Sequence, residues 1–520
     1  MRKKLSALIL VPFLLLYAFP AGAAEKEERK WQDEVIYSIM VDRFLNGDTN
    51  NDFKVNVDDP MAYNGGDFIG IQDKLEYLQN MGFTAIMLSP VFDNEANGYH
   101  GYWINDFYKT EEHFGTLKEF KALVNEAHKR KMKVILDFPV NHVGPKHPWL
   151  ADPKKKDWFH ERKAITGKLA GSSNVKKDEM EKAWIDDLPD LAQENPETGN
   201  YLIEAGKWWI NETDVDGYRL DAVNHVPMDF WTDFAKAVKS EKEDFYLLGE
   251  TSGLDAPDIA AYQNTGIDGF LDFQLNEELR SFFGKPSQQE LEGLVVSGET
   301  NRKTYQHPEL MGTFLDDQDM PRFTREAALN NQHPGTRWKL ALSYLYTTPG
   351  IPIVYYGTEI AMNGNEVPEN RALMAFKTEK ELIDYITKLG ELRQQLPALT
   401  RGDIEWLHDQ EGMAVYKRSY KDETIIVVIN NSTKTQSVSL GKNIVSSNQE
   451  LRGLLAGDLV RANDDKFSII TDRDEVEIYA VAEKSGLNIP YLIVMGLVYT
   501  LFVIYIVFLW KRSKRRKQKN

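Results

Sequence analysis

Arg219 and Asp221 stand two residues apart in the run GYRLDAVNH (217–225), where Tyr218, Leu220, Ala222 and Val223 are apolar. A charge on a buried strand is costly unless it is paired or used. Alternate residues of a strand share a face, so this spacing sets the guanidinium beside the carboxylate. An adjacent arginine keeps a carboxylate ionised. An ionised, desolvated carboxylate is a competent nucleophile. The same spacing also describes a purely structural ion pair. Three more apolar runs tip the balance, because each ends in polar groups. VILDFPVNH (134–142) carries Asp137, Asn141 and His142, FYLLGE (245–250) ends on Glu250, and GTFLDDQD (312–319) ends on Asp319.

Short apolar strands with polar C-terminal ends are how a (β/α)8 barrel gathers its active site. The other strands read as VIYSIMVDRF (35–44), FTAIMLSP (83–90), GIDGFLDF (266–273) and GIPIVYYGTE (350–359). A polar, lysine-rich stretch without apolar periodicity follows the third strand. Beyond residue 396 the chain turns to alternating runs such as GMAVYKRSY and ETIIVVIN between turn residues, the pattern of an antiparallel sheet. The expected fold is therefore α/β. A TIM barrel spans 24–395, with a small inserted domain at 143–191 and a C-terminal antiparallel β-domain at 396–483.

Taken together and in this order, the four polar-ended runs resemble the motifs of the α-amylase family of retaining glycoside hydrolases. The resemblance implies Asp221 as nucleophile and Glu250 as the acid that becomes the base. Asp319 would bind glucose hydroxyls and strain the ring, and Arg219 would hold Asp221 charged. Asp137 looks structural. His100 and Tyr102 in YHGYW (99–103), with His142, Gln318, Asn224 and His225, would line the sugar site. For structural Ca2+ the resemblance nominates Asn141, Asp190 of LPDL (188–191) and the His225 carbonyl. The loop NGDTNND (46–52) and GGD (65–67) are dense in Asn and Asp. That density serves turns, and it also supplies the hard oxygens calcium takes. A second calcium would use Asn46, Asp48, Asn51, Asp52, the Gly65 carbonyl and Asp67.

Two departures from the family pattern bear on the product. Asp317-Gln318-Asp319 stands where the family has Asn-His-Asp, and Asn224 stands where it has lysine. The implied activity is endo-acting hydrolysis of α-1,4-glucosidic bonds in starch and maltooligosaccharides. A glucanotransferase or cyclomaltodextrin hydrolase of the same family is the alternative. A non-catalytic, transporter-ancillary barrel is another, although such chains lose the carboxylates kept here.

The 520 residues hold no cysteine and carry a net charge of −17. Both ends are basic and free of acids, so the part between them is more acidic still. Such a surface argues against nucleic acid as a partner. Residues 1–23, a basic start followed by an apolar core and small residues, read as a signal peptide. Residues 487–510 hold an apolar run from Ile489 to Trp510 and are followed by the basic tail 511–520. By length and by the positive-inside rule they read as a single-pass anchor in the cell membrane, with the catalytic part outside. The chain is expected to act as a monomer.

Overall fold

Ile36–Ile39 (β1), Ala85–Leu88 (β2), Lys133–Asp137 (β3), Gly217–Leu220 (β4), Tyr246–Gly249 (β5), Gly269–Phe270 (β6), Gly312–Thr313 (β7) and Ile351–Tyr355 (β8) make one eight-stranded sheet. All of its pairings are parallel, and every strand lies beside its neighbours in sequence order. A parallel bridge between Leu271 and Gly312 joins β6 to β7 and closes the barrel. This computed structural model describes residues 28–165, 177–251, 253–287, 291–378, 380–484 and 489–517. The expected fold class holds.

The strands are rich in aliphatic residues because both faces of a parallel sheet are covered. Ile36, Met87, Ile135, Leu248, Phe314 and Ile353 pack inside the barrel, while Tyr37, Ile86, Val134, Leu247 and Val354 pack outward against the helices. Those helices start on sequence signals. Thr116 and Glu119 form a capping box for Leu117–Lys129, and Asp67 caps Phe68–Asn80. Pro196 and Pro334 open two others, a position where the missing N–H costs nothing.

The inserted stretch is carried by 3-10 turns, Pro148–Ala151 and Pro153–Trp158, and by a short parallel pair, Ala164–Ile165 with Trp184–Ile185. The C-terminal region forms a six-stranded antiparallel sheet and a two-stranded one. Buried Asn431 fastens it to the barrel, accepting from Arg337 at 2.6 Å and donating to the Phe282 carbonyl at 2.6 Å.

Several expected strands are shorter than their apolar runs. The first stops at Ile39, and Val41–Phe44 is a helical turn. The fourth stops at Leu220; Ala222 takes a left-handed conformation, φ +49°, and Val223–His225 is a 3-10 turn. Asp221 therefore does not share a strand face with Arg219; it sits on the turn just beyond. Asp319 likewise lies on a loop well past β7.

The expected membrane anchor is corrected. The C-terminal segment is helical, Ile489–Lys517. Yet among the described residues no helix is long and apolar enough to cross a membrane. The cell-membrane location is thereby withdrawn. The signal-peptide reading of 1–23, the link at 485–488 and the last residues of the basic tail fall outside the described residues.

Candidate active site

Strand register brings the charged residues together. Asp137 is paired with Arg219 across β3 and β4, and Leu220 with Gly249 across β4 and β5. The residues that follow those two, Asp221 and Glu250, therefore leave the barrel side by side. The Glu250 N–H donates to Leu220 and the Val223 N–H to Glu250, both at 2.9 Å, which fixes the two backbones against each other.

Arg219 is the centre of the cluster and is 5% exposed. Its Nη1 donates to Asp137 Oδ2, to Asp221 Oδ1 at 3.2 Å and to the Tyr102 hydroxyl at 3.2 Å. Its Nη2 donates to Glu250 Oε2 at 2.6 Å. The Tyr102 hydroxyl donates to Asp137 Oδ2 at 2.5 Å and accepts from Gln318 Nε2. One guanidinium thus faces several acids, and they do not all ionise at neutral pH. Burial lifts Asp221 to about 6 against the pull of Arg219, with Asp137 adding to the rise. Burial lifts Glu250 further, to about 8, again against Arg219, with Asp221 and Asp319 pushing the same way. Two neighbouring carboxyls set apart in this way can serve as base or nucleophile and as acid in one reaction.

Asp319 stands at the rim with its side chain 55% exposed, paired to Arg371 at 2.7 Å. Arg371 also donates to the Gln318 carbonyl at 2.9 Å and to the Tyr99 hydroxyl at 3.3 Å, so it pins the loop that carries both residues. Arg43 lies over the Tyr99 ring at 3.9 Å. Burial lowers His100 to about 3 and His142 to about 4, so both are neutral donors or acceptors. Neither ring nitrogen of His142 has a hydrogen-bond partner in the protein. Asn224 and His225 both meet Met180 of the insert. Asn224 Nδ2 donates to Met180 Sδ, and His225 Nδ1 meets the Met180 carbonyl, both at 3.1 Å.

The family profile described as "Alpha amylase, catalytic domain" matches residues 38–393, and "Alpha-amylase C-terminal domain" matches 402–479. The chain belongs to the alpha-amylase family. It is 34% identical over 464 residues to a beta/alpha-amylase of Paenibacillus polymyxa, matching 86% of this chain but 38% of that longer protein. It is 30% identical to an intracellular maltogenic amylase of Bacillus subtilis, across 85% of this chain and 76% of the relative. An Anoxybacillus alpha-amylase crystal structure superposes with TM-score 0.86 at 58% identity, covering 88% of this chain and all of that one. The protein is therefore an enzyme, a glycoside hydrolase of the alpha-amylase type.

Within this family member, the residues expected to take calcium fall into two groups. At the junction of barrel and insert, buried Asn141 and Asp190 are joined through their backbones, the Leu191 N–H donating to the Asn141 carbonyl at 2.8 Å. Among the described residues, Asn141 Oδ1 and Asp190 Oδ1 are buried without a hydrogen-bond donor. Asp190 Oδ2 is paired with His160 Nδ1 at 2.6 Å. In the N-terminal loop, Asn46 Nδ2 donates to both Asp52 oxygens, at 2.9 and 3.0 Å. Gly65 has φ +94°, and a Cβ there would fall 2.6 Å from Asn46 Nδ2 and 3.0 Å from Asp52 Oδ1. Asp48 Oδ1 accepts the Asn50 N–H of its own turn, Asp67 Oδ1 accepts the Gly70 N–H of its helix, and Asp67 Oδ2 accepts the Gly47 and Asp48 N–H groups across the two loops; among the described residues Asn51 Oδ1 is buried without a donor.

Sequence reasoning missed Arg371 and the share Asp137 takes in the cluster. Arg371 lies in a polar loop with no motif around it, so nothing marked it. Asp137 carried a signal, its place at the end of β3 opposite Arg219.

Proposed function

We propose that this enzyme hydrolyses internal α-1,4-glucosidic bonds of starch and maltooligosaccharides by a retaining double displacement. The observation that carries the reading is the Arg219 fork, which holds Asp221 at 3.2 Å and Glu250 at 2.6 Å on its two nitrogens. Asp221, the lower of the two in proton affinity, attacks the anomeric carbon. The glycosidic bond breaks, and its electron pair and the Glu250 proton go to the leaving oxygen. Glu250, now ionised, takes a proton from water as that water attacks the glycosyl ester, and Asp221 leaves. Retaining enzymes need such carboxyls about 5–5.5 Å apart. Asp319, on its exposed loop, binds hydroxyls of the ring being cleaved. His100, His142, Tyr102 and Gln318 complete the sugar-facing wall. The reading takes further support from the amylase names of the relatives.

Calcium belongs to the proposal as a structural ion. Asn141 Oδ1 and Asp190 Oδ1 are buried oxygens without donors, the kind of ligand a hard cation takes, and the His225 carbonyl would join them. The second set is Asn46, Asp48, Asn51, Asp52, the Gly65 carbonyl and Asp67. When bound, the ion would neutralise carboxylates and tie loops together.

The test is the product. Asp221→Asn and Glu250→Gln should each lower turnover by several orders of magnitude while starch still binds. The first sugar released should be the α-anomer by proton NMR. Initial β-product would sink the mechanism, and dominance of cyclic or lengthened products would move the enzyme to the transferases.

A further inference from the structure

Asp317 stands where the family motif has an asparagine. Its Oδ1 accepts the Asp319 N–H at 2.7 Å, a bond that an asparagine Oδ1 makes equally well. The turn itself therefore has no need of a charge. The charge does have neighbours. With Asp137, Arg219 and Gln318, Asp317 lines a cavity of about 30 Å³ at the C-terminal end of the barrel interior.

The groups around it come from every strand end that meets there. Arg219 from β4, Asp137 from β3 and neighbouring Asp316 share that cavity wall, Arg219 in turn holds Asp221 at 3.2 Å and Glu250 at 2.6 Å on the turns after β4 and β5, and Asp319 lies on the same loop as Asp317. The Tyr102 hydroxyl lies among them, and Arg371 approaches through Asp319 at 2.7 Å. The carboxyls outnumber the two guanidiniums. Like charges crowded in a low-dielectric site hold protons jointly, and removing one acid weakens the hold on the rest. Burial and the Asp319 charge push Asp317 up to about 7, and Glu250 adds to that rise.

We propose that Asp317 is a positioning residue for the acid step: its negative charge, set across the Arg219 cluster from Glu250, keeps the proton on Glu250 and so sets the alkaline limit of catalysis. The inference rests on Glu250 being the acid. It also explains why a carboxylate is tolerated where a neutral amide would close the same turn.

The experiment is kcat/KM against pH for the wild type, Asp317→Asn and Asp317→Ala, with Glu250→Gln beside them. Asp317→Asn should move the alkaline midpoint down by about 0.5–1 pH unit, with an unaltered melting temperature because the turn bond survives. Asp317→Ala should show the same shift and also melt earlier. An alkaline midpoint shared by the wild type and both variants overturns the proposal. So does an Asn variant that matches the wild type while the Ala variant loses activity equally at every pH, which is the behaviour of a turn residue. Glu250→Gln separates the two levels. If it is inactive and the Asp317 variants do not shift, this inference alone falls. If it keeps turnover and the alkaline limb, the acid assignment and the inference fall together.

Discussion

Replacing Arg219 by lysine tests the centre of the site. The arginine reaches Asp137, Asp221 and Tyr102 through Nη1 and Glu250 through Nη2. A lysine offers one nitrogen on a flexible stem, where the guanidinium is a planar fork. It can stay near Asp137 and Asp221 or near Glu250, not both. At least one charge-assisted hydrogen bond is lost, and such a bond is worth about 1.5–3 kcal/mol. At about 1.4 kcal/mol per decade that is roughly 10- to 150-fold in kcat/KM, if the lost bond orients a reacting carboxyl. The buried acid left without a partner also destabilises the fold, by an amount on the order of 3–5 kcal/mol if it stays charged. It will instead hold its proton to higher pH, so its own limb of the rate profile should move up, the acidic limb if Asp221 is left and the alkaline limb if Glu250 is. Steady-state kinetics on maltoheptaose across pH, with calorimetry alongside, measure both. A variant within about threefold of the wild type, with both limbs unmoved, would refute the view that the fork organises the two carboxyls.

The wild type should show a bell in kcat/KM, which reports the free enzyme, with limbs near 6 and 8. Below 6 Asp221 takes a proton and stops attacking, and above 8 Glu250 loses the proton it must donate. A flat profile from 5 to 9 would mean that neither group titrates in the rate-determining step. Chelation should lower the melting temperature and added calcium should restore it, because a ion bound by the folded state stabilises it by mass action. An identical melting curve in excess chelator would remove both proposed calcium sites.

The barrel was legible because its strands are apolar runs on the scale of a strand, and because polar groups at their ends survive in the sequence as motifs. What the sequence did not carry was where each strand stops. Hydrophobic alternation continues past Leu220 through Ala222 and Val223, but the backbone turns left-handed at Ala222. The Arg219–Asp221 contact was anticipated for a reason that does not hold, since the two do not share a strand; the turn after Leu220 delivers the carboxylate instead. Arg371 was invisible because its partners, Asp319 and Tyr99, are distant in the chain and meet only in the folded loops. The terminal helix shows the opposite failure. Composition over 487–510 promised a span, and among the described residues no helix is long and apolar enough to cross a membrane.

Asn224 shows how a departure from a family pattern can be read two ways. As a sequence feature it stands in for a sugar-binding lysine. In the fold its amide meets Met180 Sδ and its neighbour His225 meets the Met180 carbonyl, so both residues clasp the insert. Met180 is itself 6% exposed, and a lysine at 224 would bring an ammonium to that thioether, at the wall of a cavity that Asn224 shares with Asp255 and Asp258. The short amide and the methionine are thus matched to each other.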